Sequence, residues 1–217
     1  MPGVTRLQAV NICLEGAGDA AINSLGEVDT SYDAGQASRI IDQVTREVCE
    51  EGWNWNRRDK VEFSPDIDGY VQIPSSIVSV EPTLGYQRWD TKYQERSTTD
   101  DSGNTYRRLF DQLNDTDVLD EDPIYLDIYE YKTFDELPPV AKNYVTHKAA
   151  RVYQHRATGD LQQISVSTQE ELDAHAKLLD YEMHTDDVNG FDEAYAQWGA
   201  FGNRRRGRGG TPSRLYK

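Results

Sequence analysis

The change of hydrophobic period at Trp53 constrains the fold of this chain more than any other sequence feature. Residues 30–52 place apolar side chains on one face of an amphipathic helix, at Ala37, Ile40, Ile41, Val44 and Val48. From Trp53 onward, aromatic and β-branched residues alternate with polar ones, as in a half-buried strand. One segment cannot serve both periods. We predict a helix with a capping box from Thr30 to Asp33 that ends at Gly52, and a strand that begins at Trp53.

Further strand patterns continue to residue 131. The stretches 70–73 and 77–80 are predicted as edge strands, because prolines punctuate them. "YQRWD" and "YRRLF" predict two more short strands, and "TTDDSGNT" between them predicts a hairpin tip. The acidic run "DQLNDTDVLDEDP" predicts a solvated loop, and "IYLDIYEY" predicts a strand after it.

Helical patterns lie on both sides of these strands. The first is a short helix over 5–15 that ends at Gly16, followed by a helical turn over 20–25. After the strands, Pro138 and Pro139 suit the first turn of a helix that ends at Gly159. A last helix begins at the capping box Ser167–Glu170. Its apolar stripe consists of Leu172, Ala176, Leu179 and Met183, which we expect to face the core.

The order of the predicted elements, helices followed by strands and then by helices again, favours an α+β fold. We predict a helical bundle formed by the N- and C-terminal helices, with a small antiparallel β domain inserted between them. The predicted divisions are residues 1–52 and 132–202 for the bundle, 53–131 for the β domain, and 203–217 for a flexible basic arm.

Charge is distributed unevenly along the 217 residues. Of 23 basic side chains, six lie in "NRRRGRGGTPSRLYK", which has no Asp or Glu. The first 202 residues therefore hold 17 basic and 38 acidic groups, a net charge of −21. An acidic body does not favour DNA wrapping, because phosphate contacts need Lys and Arg.

The basic ending has three interpretations: contact with nucleic acid, docking on an acidic groove of a partner, or a solvated tail. Arginine, glycine and proline at this density cannot build a core, so we expect the segment to be disordered alone. An apolar anchor near its end favours folding on binding. The residues expected to dock are Arg204, Arg205, Arg206, Arg208, Arg214, Leu215 and Tyr216.

No pattern in the sequence predicts catalysis. The histidine spacings miss the i, i+4 pair of a helical zinc site, and no metal or cofactor is expected. Cys13 and Cys49 are expected to be buried thiols of a reducing compartment. No apolar run is long enough to span a membrane, and the N-terminus lacks a signal peptide's apolar region. A polar chain rich in aromatics often completes its burial in an oligomer, so we predict core or interface roles for Trp53, Trp55, Tyr144 and Tyr153.

Four stretches together resemble the tail tubular protein A family, the head-to-tail adaptors of short-tailed bacteriophages. They are "LQAVNICLEGAGDAAINSL" with "DAGQASRIIDQVTREVCEEGWNWN", "IPSSIVSVEP", "IYEYKTFDELPPVAKNYVTHKAARVYQHRATGD" and "QEELDAHAKLLDYEMHTDDVN". The likeness covers about residues 5–189. Residues 85–122 and the basic ending depart from the family pattern.

The resemblance implies a structural protein of the virion, assembled in the host cytoplasm, with no enzymatic activity. It implies a homo-oligomeric ring, usually a dodecamer, between the portal protein and the tail nozzle protein, with genomic DNA passing through its channel. Two alternatives stay open. One is a component that binds or hydrolyses glycans through Asp117, Asp120 or Asp122 of the acidic loop, and the other is a nucleic-acid-binding module that uses the basic tail.

Overall fold

The helices and strands were located in a computed structural model, which describes residues 3–86, 90–99, 103, 105–158 and 161–185. The four helices are α1 (Arg6–Ala17), α2 (Tyr32–Glu50), α3 (Pro139–Ala157) and α4 (Leu161–Thr185). The five strands are β1 (Arg57–Phe63), β2 (Ile77–Pro82), β3 (Tyr93–Thr99), β4 (Thr105–Asp111) and β5 (Ile124–Glu130). One compact unit runs from Met1 to Glu182 and a second from Met183 to Lys217, of which only the end of α4 is described.

Helix α1 ends later than the sequence predicted. Thr5 and Gln8 form a capping box at its start. Its end is Gly18, in the left-handed region at φ 84°, whereas Gly16 lies inside the last turn. A left-handed residue after the last turn lets its own amide bond the free carbonyls, and Gly18 donates to Glu15 and Leu14.

The expected capping box at Thr30 is wrong by one residue. Ser31 is the N-cap of α2, and its hydroxyl accepts from the amide of Ala34 at 3.4 Å. The Thr30 hydroxyl instead donates to the carbonyl of Glu27, which closes the short 3-10 turn Leu25–Asp29. That turn lies later than the one expected over 20–25. Gly52 follows the helix at φ 76°, as its role at the C-terminus requires.

The strand predicted from Trp53 begins four residues later. Residues Asn54–Asn56 form a 3-10 turn because the buried side chain of Asn56 accepts from the Trp53 amide at 2.9 Å. The same Asn56 amide group donates to the carbonyls of Cys49 and Glu130, at 2.9 and 3.1 Å. The end of α2 is thereby fixed to the end of β5. Strand β1 starts at Arg57.

The β part contains two antiparallel units. One is a three-stranded sheet in the order β1-β5-β2, and the other is the hairpin β3-β4. The strands predicted over 77–80 and at "IYLDIYEY" are confirmed as β2 and β5, and "YRRLF" as part of β4. The stretch 70–73 contributes only an isolated bridge, from Gln72 to Arg108.

The partner of β4 is β3, and not "YQRWD". Strand β3, with the sequence "YQERSTT", is polar and mostly exposed, so it shows no apolar alternation that would predict a strand. Residues 87–89 of "YQRWD" lie outside the described part, as do residues 100–102 and 104 of the predicted hairpin tip. The acidic run forms a loop, as predicted, except that its first residue, Asp111, is the buried last residue of β4 and that Leu119 within the loop is also buried.

Helix α3 begins with Pro138 as N-cap and Pro139 as first residue, as predicted. Helix α4 begins at Leu161, earlier than the expected Ser167. Ser167 does not cap a helix, and its hydroxyl lies 2.5 Å from the amide oxygen of Gln154 on α3. Gly159, the expected end of α3, lies outside the described residues.

The α+β prediction is confirmed, because helices α1 to α4 surround one apolar cluster and the strands enclose another. The helical cluster includes Cys13 and Cys49, both buried and free. Burial raises the pKa of the Cys13 thiol to about 12. The predicted boundaries at residues 52, 131 and 202 stay predictions.

Replacing Asn56 by Ala is expected to lower the free energy of unfolding by about 2–4 kcal/mol, because three buried backbone groups lose their partner. Denaturant unfolding followed by circular dichroism measures the change. The matched control is Asn23→Ala at an exposed position, which should change stability by less than about 0.5 kcal/mol. Equal effects of the two substitutions would contradict the role of Asn56.

Asp127 on β5 predicts a pH dependence of stability. Burial opposes its charge, but the amide of Lys60, the Thr83 hydroxyl and Arg57 hold the pKa of this carboxyl below its ordinary value. A lowered folded pKa means that the stabilisation is complete above the unfolded pKa of about 3.9 and is lost as the pH falls through the folded pKa.

We therefore expect Asp127→Asn to lower the free energy of unfolding by about 1–3 kcal/mol at pH 7. The difference from the unsubstituted protein should shrink when denaturant melts are repeated at successively lower pH, below about 4. Glu62→Gln, at an exposed position of β1, is the control. A difference that stays constant over this range would show that the carboxylate charge is not what stabilises the sheet.

Candidate functional site

The seven tail residues expected to dock lie outside the described residues, so their role stays a prediction. They are Arg204, Arg205, Arg206, Arg208, Arg214, Leu215 and Tyr216. The described part offers exposed apolar side chains, three grooves and a cluster of carboxylates as candidate surfaces.

Of the four aromatics predicted for the core or an interface, Trp53, Tyr144 and Tyr153 are buried. The indole of Trp53 donates to the carbonyl of Val48 at 2.8 Å, and the Tyr153 hydroxyl lies 2.6 Å from a carboxylate oxygen of Asp19. Trp55 is partly buried against the helical cluster. Its buried indole nitrogen has no hydrogen-bond partner within the described part. These positions place the four side chains at the helical core, and an interface role for them is untested.

Helix α4 contacts the body through a narrow inner face. Ala174 and Leu178 are its buried apolar residues. His175 packs beside the rings of Trp53 and Tyr144, with centroid separations of 6.3 and 4.9 Å. Polar contacts with α3 add to this attachment, because Arg151 pairs with Glu171 and His147 lies 3.6 Å from Glu170.

Two glutamates define which side of α4 faces inward. Glu171 forms an ion pair with Arg151 of α3. Glu182 accepts from the backbone amide of Asn54 at 2.9 Å. In this orientation both glutamates contact donors on the body, and an orientation that buried the opposite face would lose these two contacts.

The apolar stripe expected to face the core lies instead on the outside of α4. Leu172 is 56% exposed, Leu179 44% and Met183 77%, and Ala176 is also exposed. The prediction failed because α4 has apolar residues on two sides. The side that faces inward combines the apolar Ala174 and Leu178 with the polar contacts of Glu171 and Glu182. None of the described residues covers this outer apolar face, which has Asp173 and Asp180 along one flank.

A second uncovered feature is a groove of about 280 Å³ between the first turns of α2 and the last turns of α3. It is lined by Tyr32, Asp33, Gln36, Ile40, Tyr153, Arg156 and Ala157. Tyr32 is 74% exposed, although it is a large aromatic residue. The apolar and polar patterns of the sequence did not predict this groove. The available signal was an aromatic residue that directly follows a helix N-cap and lies away from the apolar stripe of that helix.

A third groove, of about 260 Å³, lies between α2 and strands β2 to β4. Its central cation, Arg107, is paired with Glu95 and also donates to the carbonyls of Ile77 and Val78. Arg46 lies over the ring of Tyr131 at 5.4 Å. Since the charges of Arg107 and Glu95 are matched within the groove, it offers little net charge for a ligand.

The acidic loop separates the three carboxylates of the glycan hypothesis. Asp117 pairs with Arg108 at 3.5 Å, and Asp120 lines a polar groove of about 360 Å³ with Asp90, Tyr93 and Asn114. Asp122 precedes Pro123 at the entry to β5. The buried carboxyl of this region is Asp111. Burial opposes its charge, but the backbone amides of Lys92 and Leu113 and the side chain of Asn114 lower its pKa, which is opposite to what a general acid needs.

Within the described residues, no group of three or more His, Cys, Asp or Glu side chains could hold a metal ion. His147 lies 3.6 Å from Glu170, and His175 lies between aromatic rings. None of the helices in this part of the chain is long and apolar enough to cross a membrane.

The inner and outer faces of α4 give a matched pair of substitutions. Leu178→Ala removes a fully buried side chain and should lower the free energy of unfolding by about 2–4 kcal/mol. Leu179→Ala changes the neighbouring exposed residue and should cost less than about 0.5 kcal/mol in the monomer. Thermal and denaturant melts of dilute protein compare them. A larger effect at Leu179 would mean that the helix is oriented differently.

Comparison with known proteins assigns the chain to a family. A search of curated proteins finds no match. A family model described as tail tubular protein matches residues 7–188, which include the five strands and the four helices of the described part apart from Arg6, the first residue of α1. The resemblance to tail tubular proteins read from the sequence is thereby confirmed. The chain belongs to the tail tubular protein family, whose members are structural components of the bacteriophage tail rather than a known class of enzyme.

Proposed function

We propose that this protein is a head-to-tail adaptor, which forms a ring between the portal protein and the tail nozzle protein. The observation that carries the proposal is the family match over residues 7–188. The uncovered apolar face of α4 and the aromatic groove between α2 and α3 support it, because subunits of a ring must bury surface against their neighbours. A dodecamer is the proposed size.

In this ring, the helical part (residues 1–52 and 132–202) packs against neighbouring copies and the portal. The β part (53–131) faces the nozzle. The genome passes through the central channel during ejection. The net charge of −21 over the first 202 residues suits that role, because an acidic wall repels phosphates and lets DNA slide, whereas a basic wall would hold it.

The basic arm, residues 203–217, is proposed to dock in a cleft between portal subunits. Its arginines would supply long-range attraction and forked contacts to carboxylates, and Leu215 with Tyr216 would act as the apolar anchor. Assembly of the ring on the portal would follow in the host cytoplasm, and the finished site is the head-tail junction of the virion.

Deleting residues 203–217 is expected to weaken binding to the cognate portal protein by at least roughly tenfold, through loss of both charge attraction and anchor. Co-sedimentation with heads that carry the portal, followed by negative-stain imaging, measures binding and shows rings. The matched control replaces all five arginines of the arm by lysine, which keeps the charge but not the forked geometry. Its affinity for the portal should lie between those of the full chain and the deletion variant. A full chain that stays monomeric and indifferent to the portal would contradict the adaptor function.

The same deletion tests the nucleic-acid hypothesis. DNA affinity that falls steeply with salt and disappears on deletion, with portal binding unchanged, would assign the arm to DNA.

Measured hydrolysis of a glycan that is lost in Asp120→Asn would instead favour the enzymatic alternative.

A further inference from the structure

The outer face of α4 has the spacing of a helix-packing seam. Leu172, Ala176 and Leu179 follow one another at intervals of four and three residues, the repeat by which one helix presents knobs to a partner. The opposite face is already occupied by the body through Ala174 and Leu178. The seam is therefore not the helix's attachment to its own fold. Within the part of the chain that the structure describes, nothing covers it, so it offers a surface to another molecule.

The charged residues beside this seam indicate the charge of the surface that would cover it. Asp173 and Asp180 lie seven residues apart, about 10 Å along one exposed side of α4. The complementary surface should be apolar or aromatic with cations at its edge. Such cations are scarce on a chain whose first 202 residues have a net charge of −21.

The groove between α2 and α3 has these properties. Its walls are Tyr32, Ile40, Tyr153 and Ala157, and the exposed Arg156 also lines it. Arg39, also exposed, lies one helical turn after the lining residue Gln36 on α2. In the described part, Arg39 donates to the carbonyl of Gly35 and Arg156 to the amide oxygen of Gln43, both neutral groups. The groove contains one carboxylate, Asp33, in the first turn of α2, where the helix dipole favours an anion.

We infer that the outer face of α4 in one copy packs into the α2–α3 groove of the next copy. This inference rests on the proposed ring. Because the two surfaces differ, the contact is heterologous, and repeating it generates a ring when the rotation closes. Pairing of α4 with α4 would be a two-fold contact that closes at a dimer and brings the aspartate flanks of both copies near each other.

Single cysteines test the contact directly. Leu179→Cys and Leu172→Cys report on the seam, and Tyr32→Cys and Ala157→Cys report on the groove. Each seam variant is mixed with each groove variant under assembly conditions, with mild oxidant, and resolved on non-reducing gels. Disulfides need Cα atoms within about 7 Å, so the four pairings sample the register. Native Cys13 and Cys49 are buried and should give little background.

We expect covalent dimers in at least one mixture of a seam variant with a groove variant. Ile67→Cys, fully exposed on a turn of the β part, is the matched control and should not cross-link to either surface. Strong self-cross-linking of Leu179→Cys alone would show α4–α4 pairing and overturn the inference. So would the absence of any seam–groove disulfide in rings that imaging shows to be intact.

Charge reversal tests the same contact without cross-linking. Asp173→Arg with Asp180→Arg makes the seam basic, and Arg39→Asp with Arg156→Asp makes the groove acidic. Each double variant alone should lose rings by roughly tenfold or more, because like charges then meet. A 1:1 mixture restores opposite charges at every contact, so alternating rings should return. Glu62→Arg with Asp68→Arg, both exposed on the β part, should leave assembly unchanged.

These outcomes separate the inference from the proposed function. Rings that persist in both seam and groove variants would overturn the inference and leave the adaptor function standing. A protein that never assembles, with or without portal, contradicts both. Melting temperatures close to that of the unsubstituted protein show that a loss of rings is not a loss of folding.

Discussion

The side chain of Asn56 makes the connection on which the rest of the structure depends. It accepts from the Trp53 amide and donates to carbonyls at the end of α2 and the end of β5. The chain turns from helix to strand at this point. Gly52 has a positive φ here, and a Cβ would lie 2.9 Å from the ring of Tyr129. A buried turn of this kind leaves backbone groups without partners unless a side chain supplies them, and Asn carries both a donor and an acceptor.

A second polar residue organises the sheet in the same way. One oxygen of Asp127 on β5 accepts from the amide of Lys60 and from the Thr83 hydroxyl, at 2.8 and 2.7 Å. Lys60 has φ 54° and interrupts the register of β1 between Arg58 and Val61. The Asp127 carboxylate therefore binds a bulge in β1 on one side and Thr83, the residue after β2, on the other. Buried polar groups with defined geometry thus determine which turns and bulges the apolar patterns are built around.

Sequence patterns predicted the fold where one apolar face was unambiguous. Helix α2, strand β5 and the start of α3 were predictable because their apolar residues or prolines allow one arrangement. The errors at the ends of α1 and α2 are shifts of one or two residues set by local hydrogen bonds. The errors at the entry to β1 and at β3 have another cause, since both depend on contacts between distant residues. The turn over Asn54–Asn56 depends on carbonyls from α2 and β5, and strand β3 is specified by its pairing with β4 rather than by its own composition. The candidate groove could not be predicted, because it requires knowing that Tyr32 and Arg156 lie side by side across two helices.

The orientation of α4 shows how folding and assembly divide the apolar surface between them. Apolar contacts at Ala174 and Leu178, the ion pair of Glu171 with Arg151 and the hydrogen bond from the Asn54 amide to Glu182 hold the helix to its own body. Leu172, Leu179 and Met183 remain outside. Burial stabilises by about 25 cal/mol per Å² of apolar surface, so a neighbour covering Leu172 and Leu179 would add stabilisation comparable with that of the inner face. Helix α4 would then be held between two bodies, and ordering it for one contact would lower the entropic cost of the other. Assembly and the fixing of α4 are therefore expected to be coupled, with the free protein holding this helix less firmly than the ring does.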